Sequence, residues 1–132
     1  MIYLDNAATT QTRPEAAQAA VTAMTEEWGN PSARHALGSR AAEQVKQWRS
    51  EVAAGLGCLP EEVVFTSCGT ESDNWAIRAA AELGKRKGKH IITTAIAHAA
   101  VLEPCRALER EGYEVTYLQP DRSGNITAQQ VK

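Results

Sequence analysis

The chain has 132 residues, the length of one domain, and its 43% hydrophobic content is enough for a core. Lys and Arg number 14 against 16 Asp and Glu, and the net charge of −2 excludes a general electrostatic attraction to nucleic acid or an anionic membrane. No apolar run approaches a membrane span, MIYLDNAATT lacks the basic-then-apolar order of a signal peptide, and Cys58, Cys68 and Cys105 are too widely spaced for a Cys-x-x-Cys, so a reducing, cytoplasmic setting is expected.

Thr12-Arg13-Pro14-Glu15 predicts a helix start, with Thr12 as cap, an early Pro and a Glu three residues on. Ala17, Val21, Met24 and Trp28 follow at helical spacing, and Gly29-Asn30-Pro31-Ser32 breaks the element. A longer helix follows, with Ala41, Val45, Trp48, Val52 and Leu56 on one face and Gly57 as its stop. Val63 to Thr66 reads as a short buried strand. Next come a helix from about Thr70 to Lys87 ending at Gly88, a strand from His90 to Thr94, and a helix from about His98 to Arg110 closed by Gly112. Glu114 to Leu118 is the third strand. Asp121 to Asn125 is a turn, and Thr127 would cap a final helix over Ala128 to Lys132.

Strands alternating with helices predict an α/β fold: N-terminal helices, then the first strands and helices of a mostly parallel sheet. The expected division is residues 1–60 as a helical segment and 61–132 as the start of an α/β domain. A final helix so short, and only three strands, lead to the expectation that these residues are the front part of a longer protein.

In a parallel sheet, ligands bind at the carboxyl ends of the strands. Two loops leave that edge: Ser67-Cys68-Gly69-Thr70 and Ala95-Ile96-Ala97-His98. The first ends in a helix start, whose free N–H groups and dipole favour a phosphate. Gly69 permits close approach and the Thr70 hydroxyl can add a bond. The same residues also describe an ordinary strand-to-helix turn, with Thr70 as N-cap and Asp73 as its capping-box partner. With parallel strands, Thr70 and His98 project toward one rim, where an imidazole can stack on a phosphorylated aromatic cofactor or move a proton. His35 and His90 read as structural or solvated, and Cys68 as a small packing residue.

These segments together resemble the N-terminal part of the cysteine desulfurases, class-V aminotransferase-like enzymes of the fold-type-I pyridoxal-phosphate group. Tyr3-Leu4-Asp5-Asn6-Ala7-Ala8-Thr9-Thr10 is similar to the family's YLDNAATT, and Gly29-Asn30-Pro31-Ser32 with His35 and Gly38 to its GNPSS-x-H-x-x-G. Thr66 to Asn74 is similar to TSGATESDN or TSGGTESDN. Gly88 to Thr93 and Glu109 to Leu118 also resemble family sequence. The resemblance implies a transferase-like α/β fold, incomplete here, and pyridoxal 5'-phosphate as cofactor. It implies that Gly69 and Thr70 hold the cofactor phosphate, that His98 stacks on the ring and assists proton transfer as the catalytic residue, and that Ala7 to Thr10 lie near the site's mouth. It implies no metal.

For the complete enzyme the resemblance implies a homodimer that converts L-cysteine to L-alanine. The sulfur would pass to an acceptor or iron–sulfur scaffold protein. Nucleic acid and membrane are not expected partners.

Two positions depart from the family pattern. Ala97 stands where the family has an acidic residue, which removes a charge that would orient His98. Cys68 stands where the family has Gly, which would strain the loop if the position needs a positive φ. None of Lys46, Lys85, Lys87, Lys89 or Lys132 lies in the Ser-x-His-Lys context of the Schiff-base lysine, and no cysteine lies in a sulfur-accepting loop. The 132 residues alone are therefore expected to be inactive. The alternatives are a non-catalytic truncated gene product and a phosphate-ligand binding module.

Overall fold

A computed structural model describes residues 2–132, and they divide into two compact units, with the boundary in the chain between Val64 and Phe65. In the first unit, α1 spans Pro14–Thr25 and α2 spans Ala36–Leu56, followed by a 3-10 turn at Pro60–Glu62. Arg13, not Thr12, is the N-cap of α1, and it makes no side-chain cap bond. Pro14 sits in the first turn, where its missing N–H costs nothing. No residue of α1 is buried, and Trp28 lies beyond the end of the helix.

The helix α2 starts at His35, whose Nδ1 accepts from the Gly38 amide at 3.3 Å. It stops at Gly57, which takes the left-handed conformation with φ 71°. Gly38, Ala41 and Ala53 are its buried residues.

Val63 to Thr66 is not a strand. The backbone groups of Val63 are already engaged: its N–H donates to Pro60 O at 3.2 Å, and its carbonyl accepts from the Arg49 guanidinium. Val63 is extended, but no residue of the segment joins a ladder, so the sheet among the described residues has two strands rather than three.

The second unit contains α3 (Gly69–Gly84), β1 (His90–Thr94), α4 (Ala99–Arg110) and β2 (Glu114–Leu118). The two strands pair in parallel, from His90 opposite Glu114 to Thr94 opposite Leu118, and α4 is the crossover between them. At the two ends of β2, Glu114 N donates to Lys89 O at 2.8 Å and Leu118 O accepts from Ala95 N at 2.9 Å. Buried Ala100, Pro104, Cys105 and Leu108 follow one another at helical spacing along α4, which packs against α3 and its buried Ala81. Gly112, with φ 86°, turns the chain after α4. No described helix is long and apolar enough to cross a membrane.

Two ends differ from expectation. Helix α3 finishes at Gly84, and the amides of Lys87 and Gly88 fold back onto the Gly84 carbonyl at 2.8 and 3.3 Å. Residues 128–130 form a turn rather than a helix. There the Thr127 N–H and hydroxyl both donate to Gln130 Oε1, and Gln130 N returns to Thr127 O at 3.1 Å. This closes a single turn that has too few residues to propagate.

Candidate functional site

The start of α3 lies one residue earlier than the sequence suggests. Cys68 is the N-cap and Gly69 the first helical residue, so Thr70 is inside the helix and is not its cap. The reaching carboxylate is that of Glu71 rather than Asp73. Its Oε2 accepts from the Ser67 amide at 2.6 Å and from the Ser67 hydroxyl at 2.7 Å. Those two bonds, the amide first, hold the Glu71 carboxyl below the usual carboxylate range.

Cys68 has φ −169° and ψ 172°, extended backbone that any residue adopts, so the expected strain is absent. Its thiol is held below the ordinary value. The amide of Glu71 is the largest cause, then the Ser67 hydroxyl, with smaller help from the Thr70 amide and hydroxyl; slight desolvation opposes them. The amides at this helix start therefore already favour negative charge, the property a phosphate needs. A Cβ built on Gly69 would meet nothing within 4 Å, so the side of the helix start is open to a ligand. Thr70 is exposed beside it.

The start of α4 is held by His98. Its ring Nδ1 accepts from the Ala100 amide at 3.1 Å, which makes the imidazole the N-cap. With Nδ1 spent as an acceptor, the neutral ring carries its proton on Nε2. Ala97 provides no charge to orient this ring, and the Ala100 amide does the orienting instead. The loop before it is closed by Ala97 N donating to Thr94 O at 3.2 Å.

Gly69, Thr70 and His98 thus lie at the starts of two helices that pack against each other in one unit. The Asn74 side chain joins those starts, donating to Thr70 O at 2.9 Å and Ala100 O at 3.4 Å. The open Gly69 flank, the anion-favouring amides, the exposed Thr70 hydroxyl and the fixed imidazole fit a phosphate-bearing aromatic ligand. The sequence does not single out Ser67, Glu71 or Asn74, whose side chains bond around these two helix starts, although a carboxylate three residues after the N-cap is a readable signal for Glu71.

The Ala7 to Thr10 segment belongs to the other unit. There the Tyr3 hydroxyl donates to the Asp5 and Thr9 carbonyls at 3.0 and 3.1 Å. A cleft of about 520 Å3 in the second unit, lined by residues including Ile77, Ala81, Ile91 and Tyr113, also includes His90, at the opposite end of β1 from the loop to His98. Among the described residues, no group of three or more His, Cys, Asp or Glu side chains is arranged to hold a metal ion.

Residues 2–132 match the family model for Aminotransferase class-V. The chain is 44% identical over 131 residues to the cysteine desulfurase IscS of Methanosarcina thermophila, covering 99% of this chain and 32% of that protein. It is 51% identical over 128 residues to the cysteine desulfurase IscS of Shewanella piezotolerans, covering 95% and 32%. Among solved structures, a NifS-like protein superposes with a TM-score of 0.88 at 36% identity, covering 96% of this chain and 35% of that one. SspA in complex with cysteine gives 0.87 at 40%, covering 98% and 37%. The chain spans about a third of the length of the curated relatives it matches.

Proposed function

The chain belongs to the class-V aminotransferase family, and from that premise we propose that it is the cofactor-phosphate portion of a pyridoxal-phosphate-dependent cysteine desulfurase. The observation that carries this reading is the pairing of an open, anion-favouring start of α3 with the fixed His98 ring at the start of α4. The similarity to cysteine desulfurases agrees with it. Bound pyridoxal 5'-phosphate would supply the electron sink that lets the Cα substituents of an amino acid be rearranged.

The residues of this chain have three tasks in that chemistry. The α3 amides beside Gly69 and the Thr70 hydroxyl hold the phosphate, and Gly69 leaves the approach clear. His98 presents its ring to the aromatic part of the cofactor, and Nε2 is the atom at which it holds or moves a proton. The Ala100 amide, by occupying Nδ1, keeps that tautomer in place. The complete reaction takes L-cysteine to L-alanine: the C–S bond breaks, and the sulfur leaves on an acceptor thiol for iron–sulfur assembly. A cytoplasmic homodimer is the form we assign to the enzyme. The 132 residues by themselves should release no alanine from cysteine, and alanine formation by them would overturn that assignment.

The test is Thr70→Ala in the full gene product. Its affinity for pyridoxal 5'-phosphate should fall by about tenfold, the worth of one charge-assisted hydrogen bond, while its affinity for unphosphorylated pyridoxal stays the same. Equal behaviour of the variant and the parent toward both ligands would sink the phosphate assignment.

A further inference from the structure

Pro104 lies inside α4 and has no N–H. In a regular helix residue 104 would donate to the carbonyl of residue 100, so Pro104 withholds from Ala100 O its helical partner. Ala100 is buried, and a buried carbonyl left without a donor is costly. The donor comes from α3: Asn74 Nδ2, which has two hydrogens to give, donates to Ala100 O at 3.4 Å and to Thr70 O at 2.9 Å. Ala100 in turn donates its own N–H to Nδ1 of His98 at 3.1 Å. An unbroken hydrogen-bonded path therefore runs from Thr70 through Asn74 and Ala100 to His98.

We propose that Asn74 is a positioning residue that fixes the phosphate-holding start of α3 against the imidazole-bearing start of α4. It does so by filling the vacancy that Pro104 creates in α4. The inference rests on the functional reading above, because it assigns Asn74 a role through Thr70 and His98. Asn74 acts through the Thr70 and Ala100 carbonyls to which its side chain donates. An ordinary residue at position 104 would donate to Ala100 O itself, so the proline leaves the carbonyl free for the inter-helix bond.

The experiment uses Asn74→Leu, which keeps the approximate size but donates nothing, in the full gene product. In the protein without cofactor, hydrogen exchange at the Ala100 amide should quicken by about tenfold as the cap loosens. With pyridoxal 5'-phosphate bound, the visible circular dichroism per bound cofactor should drop, because the ring is no longer held in one orientation. A second variant, Asn74→Leu with Pro104→Ala, returns a backbone donor to Ala100 O. It should recover the melting temperature but not the dichroic band.

Recovery of both would show that Asn74 only satisfies a carbonyl, and would overturn the positioning role. An unchanged band in Asn74→Leu would overturn it as well, whatever happens to exchange. Failure of the functional reading is separately visible, as indifference of the Thr70→Ala variant to the cofactor's phosphate.

Discussion

Two glycine-bearing loops, each leading into a histidine-capped or cysteine-capped helix, are built for opposite purposes. Between α1 and α2 the loop is filled. A Cβ on Gly38 would land on the Ala33 carbonyl, and one on Gly29 would land on the Leu37 carbonyl. Ser32 N donates to Asn30 Oδ1 at 2.9 Å, Ala33 N to Asn30 O at 3.0 Å, and His35 closes the helix start through Gly38. At the start of α3 the loop is equally well bonded, through Thr66, Ser67, Glu71 and Ser72, yet Gly69 faces nothing. A glycine with backbone pressed against it serves packing. A glycine with open space beside anion-favouring helix-start amides leaves room for something that is not protein.

The largest effect expected from this contrast is on stability. Gly38→Ala should cost about 2 to 3 kcal/mol, because the new methyl meets backbone that cannot step aside. Gly69→Ala should leave stability within about 0.5 kcal/mol, since alanine is the better helix former and has space there. Thermal denaturation of the two variants side by side gives the comparison directly. A Gly69→Ala melting point as low as that of Gly38→Ala would mean that the α3 start is as closed as the other loop. A Gly69→Ala protein that melts normally but binds pyridoxal 5'-phosphate about tenfold more weakly would sharpen the assignment of that space to the cofactor.

How much of this was legible beforehand divides along the same line. The periodic elements were legible: β1, β2 and the amphipathic α4 fall where the sequence places them, because alternation and helical spacing report burial locally. Gly57 ends α2 as expected, for the left-handed turn it supplies is a local property. Val63 to Thr66 misled because apolar composition signals burial without a partner strand, and Arg49 and Pro60 claim the backbone groups of Val63. The cofactor contacts we propose, Gly69, Thr70 and His98, could be named from motif and spacing. Their fixing could not. The bonds from Asn74 to Ala100 and from Arg49 to Val63 join residues 26 and 14 apart, and no window of sequence displays such pairs. The Cys68 position misled for a further reason: the strain expected there depended on a positive φ, and the extended backbone at 68 removes that need.

The smallest effect is a displaced titration with no loss of fold, and it tests whether the α3 start favours an anion. Cys68 is exposed and its thiol lies below the ordinary value, chiefly through the Glu71 amide and then the Ser67 hydroxyl. Cys105, buried in α4, lies above it through desolvation first and the Glu109 carboxylate second. A lowered value means that the thiolate persists to lower pH, and the thiolate is the species that reacts. Alkylation of Cys68 by iodoacetamide should therefore accelerate at a lower pH than alkylation of Cys105, as followed by mass spectrometry of the modified peptides. Ser67→Ala removes the second contributor but leaves the Glu71 amide, so the Cys68 profile should move up only part of the way toward an ordinary thiol. Parallel profiles for the two cysteines in the parent protein would remove the physical basis for a phosphate at this helix start. A Cys68 profile that returns upward when inorganic phosphate is added would instead place that anion on the same amides.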